Sequence, residues 1–307
     1  MNSADPRLAM SLCGIRLRNP VIAASGTFAY GVEFEKLVDL NALGGLVVKG
    51  LSRGPMAGNP PPRVHETEAG MINSIGLQNI GVRAFVREKL PALARLETAV
   101  FANVFGYESE DYEEVVRVLE DAQGLAGYEL NVSCPNTSHG GIYFSSDPGL
   151  LSGVVAGVKR VARRPVIVKL SPNVAQIEPL AKAAEDSGAD ALSLVNTFVA
   201  LTVDAHTRQS RIGAGCGGLS GPAIKPIALR LVYQAARAVR IPVIGLGGIA
   251  SGVDAAEFLI AGASAVQVGT ANFWDPRSCV RIAGELAEFL DREKVSKAAD
   301  LVGTLKM

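Results

Sequence analysis

The chain alternates between short apolar runs and longer segments whose apolar residues recur at helical spacing. Each run is apolar nearly throughout and rich in β-branched residues, as is typical of strands buried on both faces. Segments such as DYEEVVRVLEDAQGL and IEPLAKAAEDSG lie between most of the runs and predict amphipathic helices. The runs span residues 20–25, 44–50, 98–104, 128–133, 165–171, 191–197, 242–248 and 265–270.

This alternation predicts parallel strands joined by helical crossovers. Eight strand–helix units within about 250 residues favour a closed (β/α)₈ TIM barrel over an open doubly wound sheet. A short N-terminal hairpin is expected before the barrel, and long loops are expected after strands two, four and six. Residues 51–79 and 198–219 form two of these loops, at a face where long loops are usually functional. We therefore expect residues 1–307 to form a single barrel domain.

Composition and charge narrow the class of protein. The 307 residues are 48% hydrophobic, and the 30 basic residues balance 30 acidic ones. With no long basic run, this balance does not favour a nucleic-acid partner. The chain begins with no signal-peptide pattern and contains no uncharged apolar run of about 18 residues, so we expect no membrane segment. Thiols without an export signal indicate the reducing cytoplasm.

The cysteines and histidines do not favour metal or hydrolase chemistry. The four cysteines are far apart and form no C-x-x-C pair, and we expect no metal or iron–sulfur site on this chain. The three histidines show no metal-ligand spacing and accompany no G-x-S-x-G motif, which disfavours a Ser–His hydrolase. GAGCGG at 213–218 and GLGGIA at 245–250 lack the strand or acidic residue of a dinucleotide fingerprint, so no nicotinamide or FAD fold is expected.

Polar side chains stand at the ends of most predicted strands. The carboxyl ends of barrel strands meet at one face, where the chemistry of such enzymes takes place. A lysine or asparagine in an apolar run costs desolvation free energy unless it has a partner. One such residue could be a satisfied core group, but the same pattern on six strands favours a site. The first predicted strand ends in AASGT, and the next five carry Lys49, Asn103, Asn131, Lys169 and the pair Asn196 and Thr197.

Glycines end the last two predicted strands, at Gly247, Gly248 and Gly269. Glycine lets backbone N–H groups approach a phosphate closely, and a nearby helix N-terminus favours its charge. Tight turns explain either glycine segment alone, but both together predict a phosphorylated ligand. Lys49 and Lys169 then have two candidate tasks. A lysine can stabilise the anionic ring of a reduced flavin, or it can orient a substrate carboxylate.

Several motifs together resemble those of the dihydroorotate dehydrogenases. They are ASGTF, VVKG, NSIGLQN, NVSCPN, GGLSGPAIKPIALR and GLGGI, and the match extends almost from end to end of the chain. The resemblance implies a barrel that binds one FMN per chain and oxidises (S)-dihydroorotate to orotate in pyrimidine biosynthesis. The cysteine in NVSCPN resembles the base of class 1 enzymes, whereas class 2 enzymes use serine there and carry an N-terminal membrane extension.

The subclass determines the expected electron acceptor. GNPPPRVHETEAGMINSIGLQN and CPNTSHGGIYFSSDP are most similar to class 1B. This similarity implies a partner subunit that carries FAD and a 2Fe–2S cluster and reduces NAD⁺, in a heterotetramer around a homodimer core. The alternative within the family is a stand-alone class 1A enzyme that uses fumarate. The alternative outside it is a non-redox barrel synthase or isomerase that binds a phosphosugar.

The resemblance also implies a role for each site residue. Cys134 would be the base that takes a proton from C5 of dihydroorotate while a hydride leaves C6 for the flavin. Ala29 departs from the family pattern, which has glycine there. The implied FMN contacts are Ala24, Ser25, Lys49, Gly50, Asn103, Asn131, Lys169, Val195, Gly221, Gly247, Gly248, Gly269 and Thr270. The implied substrate contacts are Lys49, Asn73, Ser74, Ile75, Gly76, Leu77, Asn131, Asn196 and Thr197.

Overall fold

The computed structural model describes residues 5–132 and 141–307, without the side chains of residues 141–143. Its strands are β1 (Met10–Leu12), β2 (Ile15–Leu17), β3 (Val21–Ala23), β4 (Gly45–Val47), β5 (Val64–Thr67), β6 (Gly70–Asn73), β7 (Ala99–Val104), β8 (Gly127–Asn131), β9 (Val166–Lys169), β10 (Ala191–Leu194), β11 (Phe198–Leu201), β12 (Val203–Asp204), β13 (Gln209–Ser210), β14 (Cys216–Ser220), β15 (Val243–Leu246) and β16 (Ala265–Val268). Its α-helices are α1 (Val82–Glu88), α2 (Leu90–Leu93), α3 (Ser109–Glu120), α4 (Gly141–Ser146), α5 (Pro148–Val161), α6 (Glu178–Asp186), α7 (Lys225–Ala238), α8 (Gly252–Ile260), α9 (Ala271–Trp274) and α10 (Ser278–Glu293).

Eight parallel strands close into a barrel in the order β3, β4, β7, β8, β9, β10, β15 and β16. This order follows the chain and confirms the predicted TIM barrel. The antiparallel pair of β1 and β2 confirms the N-terminal hairpin. The loop predicted after the fourth barrel strand falls largely on residues 133–140, outside the described residues.

The hydrogen-bonded strands are shorter than the apolar runs that predicted them. The run 20–25 forms a strand only over β3, and the run 242–248 only over β15. In both runs the strand ends before the run does, at Ala23 and at Leu246. Apolar periodicity therefore located the strands, while the small and polar residues at the ends of the runs mark where the sheet stops.

Local capping explains where the crossover helices begin. Helix α5 starts after Asp147, whose carboxylate accepts the backbone N–H of Leu150 at 2.9 Å, and Pro148 occupies its first turn. Helix α8 starts with a capping box in which Ser251 and Asp254 each accept the other's backbone N–H. Both helices bury an apolar face against the barrel, which is the main source of their stability.

The two long loops after the second and sixth barrel strands pair with each other. Strands β5 and β6 come from the first loop and β11 and β14 from the second, and they form one antiparallel sheet in the order β11, β14, β6, β5. Gly218 lies opposite Asn73 in this sheet, and a Cβ there would overlap the hydroxyl of Thr197. The predicted functional loops are therefore ordered by each other, which no local pattern indicated.

An ion-pair network closes the amino end of the barrel. Glu120, at the end of α3, accepts the backbone N–H of Arg163 at 2.7 Å and its Nε at 3.0 Å. Arg164 lies 3.4 Å from the same carboxylate and donates to the hydroxyl of Tyr128 at 2.8 Å.

In the described part of the chain, no helix combines the length and the apolar sequence needed to cross a membrane.

Candidate active site

A cleft of about 410 Å³ opens at the carboxyl ends of the barrel strands, a volume typical of small-ligand sites. Its walls are the strand ends, the sheet formed by the two long loops, and the short helix α9. Nearly all the residues predicted from the sequence line it together. They are Ala24, Ser25, Lys49, Gly50, Asn73, Ile75, Gly76, Leu77, Asn103, Asn131, Lys169, Val195, Asn196, Thr197, Gly221, Gly247, Gly248, Gly269 and Thr270.

Two predicted residues are not named among these, for different reasons. The side chain of Ser74 accepts a hydrogen bond from Asn59 Nδ2 at 2.7 Å, and Ser74 is not among the residues that line the cleft. Cys134 lies outside the described residues, so its role as the base stays a prediction. Among the described residues, no group of three or more His, Cys, Asp or Glu side chains is arranged to hold a metal ion.

The glycine-lined end of the cleft combines tight packing with open space. Gly247 and Gly248 have φ values of 125° and 80°, in the region that favours glycine. A Cβ on Gly248 would lie 2.7 Å from Cβ of Lys225, so the turn packs closely against α7. At Gly269, by contrast, an added Cβ would have no neighbour nearer than 3.6 Å, in Thr27. The backbone at Gly269 therefore borders space that a ligand can enter, and α9 begins two residues later.

Hydrogen bonds orient the amide side chains on one wall of the cleft. Asn196 donates from Nδ2 to Oδ1 of Asn131 at 3.2 Å, and its own Oδ1 accepts the backbone N–H of Thr197 at 2.9 Å. The hydroxyl of Tyr112 donates to the backbone carbonyl of Asn131 at 3.0 Å. These contacts join the ends of β8 and β10 and hold both amides in a defined orientation.

The two lysines of the cleft lie in different surroundings. Lys49 is half-buried, and its backbone N–H donates to the carbonyl of Ala29 at 2.8 Å. Burial and the nearby Arg63 lower the pKa of Lys49 below its ordinary value. Lys169 is 5% exposed, and its ammonium lies 3.5 Å from the carboxylate of Glu129. Of these two lysines, Lys169 is the one that lies beside a buried carboxylate among the described residues.

Glu129 is a buried residue that the strand-end pattern missed. It lies in the middle of β8, two residues before Asn131, and is 0% exposed. Its Oε1 accepts Nδ2 of Asn103 at 2.8 Å, and its Oε2 accepts the hydroxyl of Ser193 at 2.9 Å and Nε2 of Gln267 at 2.6 Å. An acidic residue flanked by Tyr128 and Leu130 in an apolar strand was the signal that could have found it.

Comparison with known proteins gives a consistent family match. A family model described as dihydroorotate dehydrogenase matches residues 7–290. A protein from Solibacter usitatus, provisionally named dihydroorotate dehydrogenase A (fumarate), is 79% identical over 301 residues, 98% of this chain and 99% of that protein. Two proteins named dihydroorotate dehydrogenase B (NAD(+)), catalytic subunit, are also similar over 98% of this chain and 99% of their own length. They come from Citrifermentans bemidjiense, at 50% identity, and Geobacter sulfurreducens, at 51% identity.

A solved structure matches the fold independently of close sequence similarity. The dihydroorotate dehydrogenase of Eimeria tenella, determined in complex with ferulenol, superposes with a TM-score of 0.84 at 23% identity. The superposition covers 98% of this chain and 89% of that one. At this identity the likeness concerns the fold alone.

Proposed function

The chain belongs to the dihydroorotate dehydrogenase family, and we propose that it oxidises (S)-dihydroorotate to orotate with one FMN bound in the cleft. The observation that carries this proposal is the composition of the cleft. Two lysines and the amides of Asn103, Asn131 and Asn196 lie beside an end lined by glycine backbone. Such a cleft offers a phosphate site, cations and directed hydrogen-bonding groups together.

The glycine-lined end of the cleft fits the phosphate of FMN. Open space borders Gly269, and the short helix α9 follows it, as is typical of phosphate sites after the last two strands of a barrel. Gly247, Gly248, Gly269 and Thr270 would hold the phosphate. Lys169 and Asn103 would contact the ring system, to which they offer a cation and an amide. When bound, FMN would accept the hydride that leaves C6 of the substrate.

The opposite part of the cleft fits dihydroorotate, which has a carboxylate and a ring of alternating N–H and C=O groups. Lys49 supplies a cation that would pair with the carboxylate. Asn131 and Asn196 each carry both a donor and an acceptor, which suit a cyclic diamide. The segment 73–77, together with Thr197, would close the site over the substrate. Cys134 would take the proton from C5, since a thiolate is the reactive form of cysteine and a usable base.

For the electron acceptor, we propose a partner subunit with FAD and a 2Fe–2S cluster that reduces NAD⁺. Support comes from the class 1B motifs and from relatives named as NAD(+) catalytic subunits over their full length. On this proposal the chain forms the dimeric core of a cytoplasmic heterotetramer. A second candidate is direct reduction of fumarate, which the name of the 79% identical relative favours.

One set of assays on the purified chain tests the function and then the acceptor. A yellow protein with one FMN per chain that forms orotate with an artificial acceptor supports the function. A colourless, folded chain would refute it and favour the non-redox barrel. Fumarate reduction by the chain alone would establish the second candidate. Failure with fumarate and with NAD⁺, followed by NAD⁺ reduction once an iron–sulfur flavoprotein is co-expressed, would support the first.

A further inference from the structure

The candidate site rests on a layer of polar side chains inside the barrel, one layer below the cleft. Glu129 and Asn131 lie two residues apart on β8, so both side chains point into the barrel, at different depths. Asn131 lines the cleft, whereas Glu129 is 0% exposed. Lys169, opposite Asn131 on β9, lines the cleft and also reaches down to Glu129.

The groups around Glu129 favour an ionised carboxylate. Its two oxygens face three hydrogen-bond donors and the ammonium of Lys169, and an ionised carboxylate is an acceptor only. The amide of Gln267 turns its N–H toward Glu129 and leaves its own buried Oε1 without a hydrogen-bond partner among the described residues. With its N–H turned this way, Gln267 is one of the hydrogen-bond donors to Glu129.

Two partners of Glu129 are themselves residues of the cleft. Asn103 donates its Nδ2 to Glu129, which directs its Oδ1 toward Gly50, where an added Cβ would lie 3.0 Å away. Lys169 lies 3.5 Å from the same oxygen, Oε1. Glu129 therefore holds one amide and one cation of the cleft, although it does not itself line the cleft.

We propose that Glu129 is a positioning residue that compensates the charge of Lys169 and orients Asn103, and so sets the electrostatic field at the floor of the cofactor site. The inference rests on the proposed binding of FMN there. A reduced flavin carries more negative charge than an oxidised one, so each charge beneath it changes the ratio of the two affinities. Glu129 opposes the reduced form, and Lys169 favours it.

The test is the midpoint potential of bound FMN in Glu129→Gln, a change of nearly equal shape that removes the charge and replaces one acceptor oxygen with an amide donor. With Lys169 uncompensated, the affinity for reduced FMN should rise about tenfold relative to that for oxidised FMN, the effect of removing a unit charge roughly 12 Å from another at an effective dielectric constant of about 20. For a two-electron couple that ratio equals an upward shift of about 30 mV. An unchanged or lower potential would overturn the proposal.

A matched control separates this effect from a loss of stability. Glu120 is also buried and ion-paired, but it lies at the amino end of the barrel. Glu120→Gln should lower the unfolding temperature and leave the potential unchanged. An equal shift of the potential in both variants would mean that the shift does not depend on contact with Lys169 and Asn103, and would reject the specific role of Glu129.

Two further outcomes are informative. If Glu129→Gln does not fold, the double variant Glu129→Gln/Lys169→Met decides, because it leaves no unpaired charge. Recovery of folding in the double variant would support charge compensation, and a double variant that also fails to fold would reject it.

A colourless wild type would refute the proposed function and this inference with it. A yellow wild type with no shift in the variant would refute the role of Glu129 alone.

Discussion

Two buried glutamates, one near each end of the barrel, have different kinds of partners. Glu120 at the amino end binds Arg163 and Arg164, and the side chain of Arg163 is 73% exposed. Glu129 binds side chains from four other strands inside the barrel, and two of these, Asn103 and Lys169, also line the cleft. The first network ends in solvent and serves stability. The second is shared with the cleft, so a change there reaches the candidate site.

The ionisation of Glu120 reflects its partners. Burial by itself would raise the pKa of this carboxyl, but the backbone N–H and the side chain of Arg163 outweigh it. The pKa of Glu120 is therefore lowered from its ordinary value. The folded chain thus favours the charged form of Glu120 without any contribution from the cleft.

The largest effect is expected from Cys134→Ala, which removes the base proposed for the reaction in the cleft. Removal of the predicted base should lower turnover by about 10²–10⁴-fold, the usual contribution of a general base. Bound FMN and the unfolding temperature should stay as in the wild type, because the role proposed for the thiol is proton transfer alone. Steady-state orotate formation and flavin content measure both. Near-normal turnover would show that another group accepts the proton.

At the amino end, Glu120→Gln should lower the free energy of unfolding by about 2 kcal/mol. This figure lies below the usual cost of breaking a fully buried ion pair because Arg163 can turn to solvent. Urea denaturation measures the loss, and turnover should be unchanged. A variant with normal stability but low turnover would reverse the roles given to the two ends.

The stabilisation that Glu120 provides should depend on pH. Since the pKa of Glu120 is lowered in the folded state, its contribution is complete above about pH 4.5 and is lost as the pH falls through the folded-state pKa. The difference in unfolding free energy between wild type and Glu120→Gln should therefore be constant near neutral pH and shrink below about pH 4.5. If the difference in unfolding free energy between the two proteins grew in acid, the folded chain would favour the protonated carboxyl instead.

A smaller effect, confined to ligand binding, is expected from Gly269→Ala. The added methyl group has room in the protein, with its nearest neighbour 3.6 Å away, but it occupies space that the phosphate of FMN would need. We expect FMN to bind about tenfold more weakly, or about 1.4 kcal/mol, with the stability of the FMN-free chain unchanged. Titration of the FMN-free protein measures the affinity. An unchanged affinity would show that this glycine serves only the turn.

The smallest effect is expected from Ala29→Gly, beside the cleft. Ala29 has a φ of 43°, a left-handed conformation that costs a residue with a Cβ about 1–2 kcal/mol. Glycine removes that strain but loses more entropy on folding, so the variant should gain up to about 1 kcal/mol of stability. Gly153→Ala is the control, because it makes the reverse substitution at a helical position. Gly153 lies in α5 with no atom within 4 Å of the added Cβ, so alanine there should also stabilise the protein. Destabilisation by Ala29→Gly would mean that the turn does not strain alanine.

Ala29 stands where the resemblance implies glycine, and the structure gives a physical reason for that expectation. Ala29 has a positive φ, a conformation that favours glycine. The carbonyl of Ala29 also accepts the backbone N–H of Lys49, so the turn helps place a residue of the cleft. The resemblance located the position, and the backbone conformation explained it.

The sequence by itself determined the barrel strands and most of the cleft. Buried parallel strands are apolar on both faces, and their carboxyl ends meet at one face, so Lys49 and Asn131 could be assigned to one site before their positions were known. These are local signals whose meaning does not depend on a distant partner. Ser74 was assigned by the resemblance and not by this pattern, and only the fold shows its hydroxyl paired with Asn59.

Only the tertiary structure decided which distant residues meet. The sheet over the cleft joins β6 to β14, about 145 residues apart in the register of Asn73 with Gly218. Glu129 is paired with Gln267, 138 residues away, and with Ser193, 64 residues away. Such contacts leave no periodic pattern in the sequence, because closing the barrel, not local propensity, brings these side chains together.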